Sequence, residues 1–147
     1  MKPLLVIGLG NPLMGDEGIG WHVAERLAGD ARLPEHVEVI CGGTDLLRYA
    51  GEMEGRRRVV LIDALEDGSD PGTVTVFVED FRGLEEHQEH AHHLSAIQAL
   101  RLLRLTTSTS FTLLGISISS ARCEPALSPS MAARMPAILQ RVLENLL

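Results

Sequence analysis

Three short apolar runs, LLVI at 4–7, VEVI at 37–40 and VVLI at 59–62, constrain this chain more than any other feature. An apolar run of that length bounded by turn signals is a buried strand. VVLI is apolar on both faces, which suits the middle of a parallel sheet. Between the first two runs, Val23, Ala24 and Leu27 follow Ile19 on one helical face, and Gly29 ends that helix. Gly42-Gly43-Thr44 then turns the chain, with Thr44 placed to cap a helix through Met53. Beyond the turn Asp70-Pro71-Gly72, residues 73–78 alternate like a strand with one exposed side. Residues 79–93 carry five acids and four histidines and read as a loop. Leu94, Ile97, Leu100 and Leu103 mark another helix, and 111–118 a fifth strand. Ser128-Pro129 is an N-cap and first-turn pair for a last helix facing inward through Met131, Met135, Ile138, Leu139, Val142 and Leu146, with Pro136 expected to bend it. Strands alternating with helices predict a single-domain α/β fold over residues 1–147. Its form is a three-layer sandwich on a mainly parallel five-stranded sheet.

Composition removes several functions. The 147 residues are 45% apolar, yet no stretch reaches the ~18 needed to span a bilayer. The opening MKPLLVIGLGNP has too short an apolar core for a signal peptide. Two cysteines, Cys41 and Cys123, make no disulfide framework and read as buried hydrophobes, so a cytoplasmic setting is expected. A net charge of −7 argues against nucleic acid, whose phosphates need clustered cations. Arg56-Arg57-Arg58 reads as a solvated turn before a strand rather than a binding patch.

In a parallel sheet of this kind, ligands bind beyond the carboxyl ends of the strands. Asp16 and Glu17 follow the first strand, Asp63 ends the third, and His90, His92 and His93 precede the third helix. Carboxylates with imidazoles form a mixed O/N set suited to a divalent transition metal or to acid–base work. Each also has a plain structural reading. Asp16 and Glu17 could serve the first turn of the first helix. Asp63 could bind backbone amides, and the histidines could form a solvated loop. Gly8-Leu9-Gly10 starts like a dinucleotide fingerprint, but Leu13 stands where the third glycine belongs, and no P-loop lysine follows. The glycines instead permit a tight strand-to-helix turn and room for a bulky group to approach the backbone.

The constellation as a whole resembles a known family. VIGLGNPLMGDEGIGWHVAERL at 6–27 is similar to the opening of the hydrogenase maturation endopeptidases. The likeness continues through Gly42-Gly43-Thr44, LIDAL at 61–65, AHHLSAIQAL at 91–100 and ALSP at 126–129. It implies a twisted sheet flanked by helices. It also implies removal of a short C-terminal extension from the large-subunit precursor of nickel–iron hydrogenase after nickel insertion. Carried over position by position, the metal-contacting triad falls on Glu17, Asp63 and His92, with His93 a variable neighbour and alternative ligand. Asp16 then supports the loop, and Gly42, Gly43 and Thr44 flank the rim that takes the peptide tail. Nickel is expected to arrive with the precursor, where it either polarises the scissile carbonyl for water attack or serves recognition alone.

Two other functions fit parts of the pattern. A Gly-Leu-Gly-Asn-Pro opening also occurs in peptidyl-tRNA hydrolase, but its following tyrosine and Thr-Arg-His-Asn segment are missing here. A nickel-sensing scaffold without proteolysis would use the same acids and histidine.

Overall fold

The apolar runs are strands: β1 (Leu4–Leu9), β2 (Val37–Gly43) and β3 (Arg58–Leu65). With β4 (Val74–Val78) and β5 (Ser110–Ser117) they form, among the described residues, a five-stranded sheet in the order β2-β1-β3-β5-β4. β4 alone runs antiparallel, paired to β5 at the edge. This computed structural model describes residues 1–78, 99–105, 107–119 and 124–147. Its helices are α1 (Ile19–Ala28), α2 (Ala50–Met53), α3 (residues 99–105) and α4 (Pro129–Glu144). Among the described residues, no helix is long and apolar enough to cross a membrane.

Alternation along the strands separates two cores. Leu4, Val6, Val60 and Ile62 pack with Ile19, Val23 and Leu27 of α1 and Met131, Met135 and Ile138 of α4. On the opposite face, Leu5, Ile7, Val59, Leu61 and Phe111 pack with Met53 of α2 and Leu100 and Leu103 of α3. Each buried side chain of this size contributes about 1.5–3 kcal/mol relative to exposure. Three layers result, as the sequence predicts.

Glycine decides how closely α1 sits on the sheet. A Cβ on Gly20 would run into the carbonyl oxygens of Leu9 and Ile62, and one on Gly8 into the carbonyl of Gly20 and the Cβ of Ala24. These two glycines bring the helix onto β1 and β3; they do not open room for a ligand. Gly10, at φ +118°, makes the turn out of β1 and donates its amide to the Gly43 carbonyl at 2.7 Å. The chain leaves β1 through α1 on one face to reach β2. It returns through α2 on the other face to β3, so the connections diverge between the carboxyl ends of β1 and β3. Doubly wound sheets open their ligand crevice at such a switch point.

Several expectations change. A 3₁₀ turn (Leu46–Tyr49) precedes the short α2, and neither receives a side-chain cap from Thr44. Pro136 lies on the exposed side of α4, inside the helix as expected. Arg56 is not solvated. Its Nε donates to the Glu52 carbonyl at 2.9 Å, its Nη1 to the Lys2 carbonyl at 2.8 Å, and its charge pairs with Glu38 and Glu52. Cys41 is half-buried, with its Sγ 3.9 Å from the Trp21 carbonyl. Cys123, the loop expected at 79–93, and Leu94 and Ile97 expected in the third helix lie outside the described residues.

The glycine contacts generate a paired expectation. Gly20→Ala should cost about 2–3 kcal/mol in chemical denaturation, because backbone must move to admit the methyl group. Gly51→Ala, in α2 with nothing within 4 Å of its added Cβ, should be neutral or stabilise by up to about 1 kcal/mol. Equal effects at both sites would contradict the close packing of α1.

Candidate functional site

Asp63 lies within β3 rather than at its end, and the register explains its opportunity. β1 pairs with β3 only as far as Gly8 opposite Ile62, because β1 then turns away at Gly10. β5 stays paired with β3 through Leu65 opposite Ser117. From Asp63 onward, the edge of β3 that faced β1 therefore borders open space.

That space is a cleft of about 270 Å³ into which Glu17, Asp63, Gly43 and Thr44 all face. Leu9, Met14 and Leu46 give it apolar walls, and Asn11 adds an amide. Asp63 alternates with Val59 and Leu61 along β3 and so sits above the core packed under α2 and α3. Burial pushes its carboxyl up to about 7, with the Glu17 charge adding to the rise. The Ala64 amide, donating to Oδ1 at 2.8 Å, opposes it. Such desolvation is the ordinary way for a carboxylic acid to stay neutral near physiological pH.

Glu17 is carried by a 3₁₀ turn (Gly15–Gly18) immediately before α1. Its upstream support is the Asn11 turn, where Asn11 Oδ1 accepts from the Leu13 amide at 2.9 Å and the Asn11 carbonyl from the Met14 amide at 3.0 Å. In a 3₁₀ turn successive side chains point about 120° apart, so Asp16 diverges from its neighbour. Asp16 does not cap the first helix; it reaches Ser128 at the start of α4. Its two oxygens accept from the Ser128 amide at 2.8 Å and the Ser128 hydroxyl at 2.7 Å. Ser128 Oγ in turn accepts from the Met131 amide at 3.2 Å as the N-cap of α4.

The glycine pair of β2 also divides. Gly42 packs under the sheet end, where an added Cβ would meet Ile7 and Tyr49. Gly43 sits at φ +73° where the β1–β2 register slips, and its vacant side opens on the cleft. The structure thus brings Glu17, Asp63, Gly43 and Thr44 together, and turns Asp16 and Gly42 to packing. His90, His92 and His93 lie outside the described residues, among which no three Asp, Glu, His or Cys side chains converge as a metal site. Two carboxyl groups in one cleft, one with its pKa raised to about 7, can act as acid and base or offer oxygen ligands to a cation. Sequence reading passed over Asn11, Met14 and Leu46. Asn-Pro after a glycine is a turn signal that could have marked the first.

Known proteins resemble this chain in sequence and in fold. The hydrogenase maturation protease family model matches residues 21–145. Hydrogenase 2 maturation protease of Escherichia coli is 36% identical over 74 residues, which are 50% of this chain and 45% of that protein. The hydrogenase expression/formation protein HupD of Rhodobacter capsulatus is 36% identical over 77 residues, 52% of this chain and 37% of that one. The matched stretch thus spans less than half the length of either curated relative. Among solved structures, the hydrogenase maturating endopeptidase HybD from E. coli superposes with a TM-score of 0.83 at 31% identity, covering 99% of this chain and 92% of that one. The NiFe hydrogenase maturation protease HybD from Thermococcus kodakarensis gives 0.78 at 27% identity with both chains covered fully.

The buried carboxyl makes stability depend on pH in a definite direction. An unfolded Asp63 ionises near pH 4, whereas in the fold it holds its proton to about 7. Folding is therefore progressively disfavoured as pH rises from 4 to 7, and the loss is complete above that. Asp63→Asn should raise the melting temperature, with a gain that grows from pH 4 to 7 and then levels. Discounted for exposure to the cleft, the gain is on the order of 2 kcal/mol. A gain independent of pH would mean that the carboxyl is hydrated. Separately, Asp16→Ala and Ser128→Ala should each destabilise by about 1–2 kcal/mol and show strong coupling in a double-mutant cycle.

Proposed function

Because this chain belongs to the hydrogenase maturation protease family, we propose that it removes the C-terminal extension of a nickel–iron hydrogenase large-subunit precursor once nickel is in place. The observation that carries the proposal is the shared cleft of Glu17 and Asp63, with burial raising the Asp63 pKa to about 7. Nickel is cargo of the precursor in this reading. Glu17 and Asp63 meet it with oxygen, and His92, supplied by the family resemblance, adds a nitrogen. Two carboxylates and one imidazole form an incomplete shell without a thiolate, which suits a transient contact better than permanent retention. The open side of Gly43 and the hydroxyl of Thr44 border the space left for the extended tail.

For the cut itself, a water molecule attacks the carbonyl carbon of the scissile bond while an ionised cleft carboxylate takes its proton. The carbon–nitrogen bond then breaks, and a protonated carboxyl returns a proton to the leaving amine. A carboxyl with a pKa near 7 is suited to both halves of that exchange. The family match and the net charge of −7 weigh against the peptidyl-tRNA alternative.

The test mixes metal-stripped protein with nickel-free and nickel-loaded precursor and follows tail release by mass. Release from the loaded precursor alone is expected, and equal release from both would overturn metal recognition. Release from neither would favour a scaffold without proteolysis. Glu17→Gln and Asp63→Asn should each reduce release by at least about 100-fold, the usual worth of a positioned acid or base. His92→Ala should abolish it, whereas His90→Ala and His93→Ala should leave most of it. A dead His93→Ala would move the third ligand one residue along.

A further inference from the structure

The arginine run that seemed only a solvated turn borders a second cavity, at the end of the sheet away from the cleft. β1, β3 and β5 begin side by side, with Leu4 opposite Arg58 and Arg58 opposite Ser110. Their amino ends border a space of about 400 Å³ lined by His36, Arg57, Arg58 and Ser110, with Pro3 and Leu146 among its apolar neighbours and Leu147 also on its wall. Five residues of strand put it roughly 16 Å from Asp63.

Arg58 is half-buried and fixed there. Its Nε donates to Thr112 Oγ1 at 3.2 Å, and its Nη1 to the Asn145 carbonyl at the end of α4 at 2.8 Å. Both acceptors are neutral. Among the described residues no carboxylate forms an ion pair with Arg58 or Arg57, whereas the adjacent Arg56 has two. Burial pulls the Arg58 pKa below the usual guanidinium value. Acids outnumber bases in this chain 20 to 13, so two arginines and a histidine around one cavity run against the average charge. A half-buried guanidinium with donors to spare favours an oxyanion, which accepts charge-assisted bonds from the fork.

We propose that this cavity is a binding site for a small oxyanion, a carboxylate or phosphate head held by Arg57 and Arg58, with any apolar stem lying on Pro3 and Leu146. The site is independent of the protease reading, since it shares no residue with the cleft.

The test is an NMR titration of the whole protein with inorganic phosphate and, separately, with acetyl-leucine, each at ionic strength matched by sodium chloride. Saturable shifts of the Arg58 side chain and the Ser110 amide are expected. Arg57→Ala should weaken binding by about tenfold, as loss of one charge-assisted contact requires. Arg58→Lys, which keeps the charge but loses the fork, should also weaken it, and Asp63→Asn should not. The tighter of the two probes identifies the source of the oxyanion, as a phosphate group or as a carboxylate on an apolar stem. Shifts that sodium chloride alone reproduces, or that persist unchanged in Arg57→Ala and Arg58→Lys with the fold intact, would overturn the proposal.

Discussion

The approach of α1 to the sheet through Gly8 and Gly20 governs everything built above it. With no Cβ at either position, the first turn of the helix lies against the backbone of β1 and β3. The 3₁₀ turn that leads into α1 must then cross the carboxyl end of β1, close beside β3. A larger residue at either glycine would lift the helix and the turn together. The position of Glu17 in the same cleft as Asp63 is therefore a consequence of backbone packing.

The cleft and the core use the same alternation. Val59 and Leu61 go to the core under α2 and α3, and Asp63, two residues further along the same face, meets the cleft instead. Its carboxyl is partly dehydrated by the structure that positions it. Placing an ionisable group there costs stability and yields a proton that can move near neutral pH. That exchange of stability for chemistry is typical of functional sites.

Much of the layout was legible in the chain. Continuous apolar runs marked the central strands, which are buried on both faces, alternation marked the edge strand β4, and period-3.6 patterns marked the buried faces of α1 and α4. The position of Asp63 at the carboxyl side of a central strand pointed to the cleft. Less was legible where tertiary contacts decide. The partner of Asp16 lies 112 residues away at Ser128, and no local pattern encodes that bond. The same holds for Arg56, whose ion pairs with Glu38 and Glu52 join segments that only the fold brings together. Thr44 looked like a cap by residue type, yet the geometry of the β2 bulge turned it into the cleft. The roles of Gly8 and Gly20 depended on which backbone each would meet, and this too is set by the assembled sheet.

Asp16 and Glu17 show what two adjacent acids gain from pointing in different directions. One is anchored by two hydrogen bonds to the start of a sixteen-residue helix, and the other faces the cleft. Because the anchor is the immediate neighbour, the backbone beneath Glu17 is already immobilised before any ligand arrives. The ordering entropy of that loop is charged to folding, so an incoming partner meets a rigid carboxylate and keeps more of its contact energy as affinity.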